Sequence, residues 1–130
     1  SSAASDVYKR QVHMSIEFSW KSILAYLLAA FFLVGAIGNT FVSEEIAADY
    51  ARWGYPDGFH FVTAAFELGV AGLLPFKRTR LWGACLGIWV MLGAAATVIA
   101  NGEFTHAIAP LVVLAVSVAV LWGAWGGRGR

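Results

Sequence analysis

Charge is what this sequence has least of. Asp, Glu, Lys and Arg make up 13% of its 130 residues, about half the share usual in soluble domains. Hydrophobic residues make up 59%. A water-soluble fold would leave much of that apolar surface facing water, so the surplus requires lipid or partner helices as its solvent. Cysteine is almost absent as well. Cys85 stands alone, which excludes an intrachain disulfide, a CxxC redox pair and a cysteine zinc cage. There is no strong excess of positive charge either. The formal net charge is +1, so no nucleic-acid partner is expected. No phosphate-binding glycine loop and no nucleophile paired with a base is visible. A self-contained enzyme is therefore not expected.

What is present is four apolar runs: 19–37, 59–74, 81–100 and 107–125. The third holds 20 residues without a charge, the length that crosses a bilayer. Backbone groups in lipid must pair internally, so each run should be a helix. Gly38 and Asn39 are expected to close the first. Between the first two runs Ser43 reads as an N-cap, Glu44 and Glu45 suit the positive end of a helix dipole, and Gly54-Tyr55-Pro56 reads as a stop. This predicts a short interfacial helix over Glu44 to Trp53, with Ile46, Tyr50 and Trp53 on one face. Pro75 to Arg80 reads as a basic turn with Thr79 as N-cap, and Asn101-Gly102-Glu103 as a tight turn. The expected fold class is all-α: a four-helix transmembrane bundle with a short interfacial helix between helices 1 and 2.

The first eleven residues, Ser1 to Gln11, read as the in-frame translation of a common transposase sequencing adapter. They are expected to be a library artefact, with Met14 as the natural start. Residues 1–13 are thus assigned as a non-native or disordered tail, and 14–130 as one membrane domain.

The charged residues sort by side. With four crossings, Lys21, Lys77, Arg78, Arg80, Arg128 and Arg130 share one face. Glu44, Glu45, Asp49, Asp57 and Glu103 share the other, with Arg52 the one basic residue among them. The positive-inside rule then puts both termini in the cytoplasm. Trp20, Trp82, Trp122 and Trp125 would form the inner aromatic belt, and Tyr50, Trp53, Tyr55 and Phe104 the outer one.

Several segments, in this order, carry a family resemblance: Tyr50-Ala51-Arg52-Trp53-Gly54-Tyr55-Pro56, Phe66-Glu67-Leu68-Gly69, Arg80-Leu81-Trp82-Gly83-Ala84, Met91-Leu92-Gly93-Ala94, and His106 with Pro110-Leu111. With them the chain resembles the DoxX-like family of small bacterial membrane proteins, over roughly Ala25 to Val120. One departure is Gly38-Asn39-Thr40, where many relatives carry a lysine. The resemblance implies a four-helix bundle in the bacterial cytoplasmic (inner) membrane. It also implies a subunit that supports respiratory or redox-stress chemistry, with quinone as the candidate cofactor and a soluble or membrane oxidoreductase as the candidate partner. The alternatives are a small transporter and a structural assembly partner.

Glu67 is the most informative residue, a candidate to carry chemistry or to fix the bundle. It sits about 12 Å into the second run at 1.5 Å per residue. An acid there costs on the order of 3 kcal/mol if it faces lipid. It should therefore face the bundle, as a proton relay, as hydrogen-bond partner for a quinone head, or as a packing bond between helices. A second constellation is Asp57 with His60 and Glu103 with His106, each pair three residues apart at a helix start. Together they form a candidate polar or metal cluster on the acidic face. Arg52 is a candidate anion contact, or a partner for Asp49 or a lipid phosphate. Cys85 reads as a small packing residue. Gly83-xxx-Gly87, Gly93-Ala94-Ala95-Ala96 and Gly69-xx-Gly72 give small-residue faces that suit close packing, within the bundle or in a homodimer.

Overall fold

The computed structural model describes residues 2–5 and 20–128. Apart from the helical residues 2–5, the segment expected to be adapter-derived lies outside the described residues, as do Met14 and Arg130. The elements are α1 (Trp20–Thr40), α2 (Glu44–Arg52), α3 (Phe59–Leu73), α4 (Arg80–Ala100), a 3-10 turn at Phe104–Ala107, and α5 (Ile108–Arg128). No strand occurs among the described residues.

Among the described residues three helices are long and apolar enough to cross a membrane: α1, α4 and the segment Phe104–Gly126, which contains most of α5. α3 is apolar but has only 15 residues. Outward-facing side chains are apolar on every long helix, among them Val34, Trp89, Val118 and Trp122. Only 28% of the apolar window of α1 and 33% of that of α4 is buried inside the fold. A soluble bundle would place polar residues on those outer stripes. The chain is a multi-pass membrane protein whose outward surface is solvated by lipid.

α1, α3, α4 and α5 pack in a ring, α1 against α3 and α5, and α4 against the same two. Neighbours run antiparallel. Asn39 and His60 meet at one end of the α1–α3 pair, and Ser22 and Arg80 meet at the other end of the ring. Phe32 of α1, Val70 of α3 and Ala84 of α4 centre the buried cluster, and Val113 and Val120 of α5 complete it.

Local chemistry sets the ends. The Ser43 hydroxyl accepts from the Ile46 amide at 3.2 Å and starts α2. Gly54, at φ +86°, follows the capping residue Trp53, a left-handed turn that glycine adopts without strain. Two expectations are corrected. Gly38 and Asn39 do not close α1, which continues through Thr40, with the Phe41 amide donating to the Ile37 carbonyl; the Asn39 and Thr40 side chains donate to the carbonyls of Gly35 and Ala36 on the same helix. Thr79 precedes α4 but does not cap it; its hydroxyl donates to the Leu73 carbonyl at 2.7 Å.

The basic turn holds a further departure. Arg80 is not a solvated charge but is 6% exposed. Its Nε donates to the Leu74 carbonyl at 2.9 Å and its Nη2 to the Pro75 carbonyl at 3.1 Å. Nη1 lies 3.4 Å from Ser22 Oγ of α1, and the guanidinium sits over the Tyr26 ring. These are carbonyls left unpaired where α3 stops short. Thr79 and Arg80 satisfy the backbone that the early end of α3 frees.

Candidate functional site

α3 and α4 touch closely at the basic end and part at the acidic end. A Cβ at Gly83 would lie 2.9 Å from Leu73 Cβ and 3.0 Å from the Leu74 amide nitrogen. One at Gly87 would lie 3.3 Å from the Phe32 ring. Near the acidic end the facing side chains change to aromatic rings on α3 and to Gly93 and Ala94 on α4, and the helices leave a cavity of about 300 Å³. Its α3 wall presents Phe59, Thr63, Phe66 and Glu67, residues spaced at three and four along one face. Its α4 wall presents Trp89, Gly93 and Thr97 at the same kind of spacing. Most of the wall is apolar.

Glu67 is the polar centre of that wall. It is 5% exposed and faces the bundle. Asn39 Nδ2 of α1 donates to Glu67 Oε1 at 2.5 Å, and Tyr50 Oη of α2 donates to Asn39 Oδ1 at 2.8 Å. The Asn39 amide is therefore held at both ends, which fixes its orientation and aims the carboxyl. Burial raises the Tyr50 phenol above its ordinary value, so it stays a proton donor at neutral pH. Gly35 of α1 supplies the room. A Cβ there would collide with Glu67 Oε2.

α2 and the turn after it lie over the acidic end of the cavity. Tyr50 is packed among the rings of Trp53, Tyr55, Phe59 and His60. Tyr55 stacks flat on Phe59 with centroids 4.4 Å apart, and its hydroxyl reaches Thr97 Oγ1 of α4 at 2.5 Å. Trp53 Nε1 donates to Glu103 Oε2 at 2.7 Å, and Arg52 Nη2 donates to Glu103 Oε1 at 2.7 Å.

The expected acidic-face cluster is divided. Glu103 meets His106 at 3.2 Å, and its carboxylate is taken up by Arg52 and Trp53. His60 turns instead to the Asn39 carbonyl, with Nδ1 at 2.6 Å. Asp57 is exposed. Among the described residues no group of three or more His, Cys, Asp and Glu side chains converges on a metal position. Arg52 bonds both Asp49 Oδ1 at 2.8 Å and Glu103, so two carboxylates occupy the guanidinium that read as an anion contact. The Arg52 guanidinium, then the Trp53 indole, hold the Glu103 carboxyl below its ordinary range. A group depressed in this way contributes stability at pH above the ordinary carboxylate value, and that contribution is lost as pH falls through the folded value. Acidification through that window is expected to release Trp53. The check is tryptophan fluorescence of the wild type minus that of Trp53→Phe, with Glu103→Gln lacking the acid step.

Sequence reasoning turned Glu67 toward the bundle, where it lies, and missed its setting. Asn39, Gly35, Tyr55, Thr97 and Trp89 were not singled out as site residues. One signal was available. Asn39 and Asn101 are the chain's only asparagines, and a buried acid needs a donor at membrane depth.

The model of the DoxX-like family matches residues 23–120. No curated protein and no solved structure matches the chain. A match over three quarters of the sequence, on a helical membrane fold, means that the chain belongs to the DoxX-like family.

Proposed function

We propose that this protein is a four-crossing membrane subunit that holds the head of a quinone against Glu67 and so supports the redox chemistry of an oxidoreductase partner. It lies in the bacterial cytoplasmic membrane with both termini inside, which makes the acidic end the outer one. Residues 14–130 form the membrane domain. α3 makes the second crossing although it spans only about 22 Å at 1.5 Å per residue, because its neighbours enclose the turns at its ends.

One observation carries this reading. A buried carboxyl, aimed by a doubly bonded amide, forms the polar spot in an otherwise apolar cavity beside lipid-facing rings. Small-molecule sites have this character, with a few placed polar groups in apolar walls. A quinone offers carbonyl oxygens for a carboxylic acid and a flat face for the rings of Tyr55, Phe59 and Phe66. Glu67 therefore orients the ligand, while redox equivalents come from the partner.

The test is quinone content of the protein purified from its membrane. The wild type is expected to retain quinone, and Glu67→Leu, which leaves no donor at that position, to lose it by about tenfold, the cost of roughly one hydrogen bond. Gly35→Ala, which displaces the carboxyl without removing it, is expected to do the same. A wild type free of quinone, or a folded Glu67→Leu that keeps it, sinks the proposal.

A further inference from the structure

The cavity has two conceivable approaches, and only one is open. Toward the outer aqueous side, α2 and the turn that follows it form a strap over the cavity. The strap is tied to three separate elements: Tyr50 to Asn39 of α1, Tyr55 to Thr97 of α4, and Trp53 with Arg52 to Glu103 ahead of α5. No residue of α2 is itself buried, so these side-chain ties and the ring cluster around Tyr50 hold it down. Toward the bilayer there is no such closure. Phe66 of α3 is 50% exposed and Trp89 of α4 is 73% exposed, and both line the cavity. They stand on either side of the cleft where α3 and α4 part. Trp89 lies near the middle of α4, far from the interfacial belt where tryptophan normally concentrates.

We infer that this cavity takes its ligand sideways from the outer leaflet, through a portal between Phe66 and Trp89, while the strap from Tyr50 to Tyr55 shuts out water. The ligand is accordingly a lipid-borne molecule: a flat polar head that reaches Glu67, and an apolar tail that stays in the bilayer. Trp89 and Phe66 are the specificity-determining residues, since any head that enters passes their rings. Gly93 lies one turn from Trp89 on the same α4 wall, and a Cβ there meets no atom within 4 Å, so a side chain can be added to that wall without a clash. The identity of the head as a quinone and the assignment of the acidic end to the outer leaflet rest on the preceding proposal; sideways entry and the need for a tail do not.

The experiment is thiol accessibility in lipid nanodiscs. Cys85→Ala removes the native thiol, and Gly93→Cys places one on the cavity wall, with Ala94→Cys as a second position. Asp57→Cys is the exposed reference. Uncharged N-phenylmaleimide is expected to label the cavity thiol at least about tenfold faster than a sulfonated maleimide does, while both label the reference at similar rates. Loosening the strap with Trp53→Phe and Tyr55→Phe together is expected to admit the sulfonated reagent and to leave the uncharged one unchanged. A cavity thiol labelled by the sulfonated reagent at the reference rate overturns the portal, as does one that N-phenylmaleimide does not reach. A fully substituted benzoquinone with a ten-carbon tail should protect the thiol, and tetramethylbenzoquinone should not. Protection by both equally overturns the need for a tail. Protection by neither, with the labelling pattern intact, overturns the quinone head and leaves the route standing.

Discussion

Arg80→Ala is expected to lower the unfolding free energy by about 3 kcal/mol, within the range for breaking a buried charged contact. The variant removes three donors at once, leaving the carbonyls of Leu74 and Pro75 and the Ser22 hydroxyl without that partner. An unpaired buried acceptor costs about 1–3 kcal/mol, and loss of the buried guanidinium charge offsets part of the sum. The damage is greatest here because the carbonyls belong to backbone that has already left α3, beside side chains as buried as Leu74. Arg80→Lys should recover only part of the loss, because an ammonium does not reproduce the planar fork. Thermal unfolding in detergent is the check, and an Arg80→Ala variant that unfolds at the wild-type temperature would show that these contacts add no stability.

Gly83→Val is expected to cost about 2–3 kcal/mol, at the upper part of the range for overpacking. The atoms a new Cβ would strike are Leu73 Cβ, the Leu74 amide nitrogen and the Leu73 carbonyl carbon. Two of these are backbone atoms, which do not rotate away, so α4 itself must shift. Such a shift is felt along α4 as far as the cavity, because Gly87 and Met91 follow on buried positions of the same helix. Gly93→Ala is the matched control. It meets open space and replaces the poorer helix former, so no destabilisation is expected. If both variants unfold at the same temperature in detergent, close contact between α3 and α4 is not what holds the basic end together.

That pair of glycines shows what a linear reading resolves. Gly83 and Gly93 both stand among small residues in one apolar run, and both read as packing faces. One is pressed against backbone and the other borders empty volume. Nothing in their local sequence separates them, because the difference lies in which helix is opposite and at what distance. Glu67 is the contrary case. An acid in an apolar run must turn inward because lipid does not solvate it, so its facing was legible without a structure. Its partner was not, since Asn39 lies 28 residues away and reaches it only because α1 runs on through Thr40.

The sequence by itself determined the properties that depend on solvent and on near neighbours. Apolar length demanded lipid, lipid demanded helices, Ser43 and Gly54 bounded α2, and the scarcity of charge sorted basic from acidic ends. Tertiary structure alone decided the pairings across the ring. It buried Arg80 beside Ser22, 58 positions away, took Glu103 from a metal cluster to Arg52 and Trp53, and opened α3 from α4 to form the cavity. The physical reason is that hydrophobicity and capping act within a few residues of the chain. Hydrogen bonds and steric contacts between helices depend on how those helices are rotated and spaced, which the packing of all four sets together.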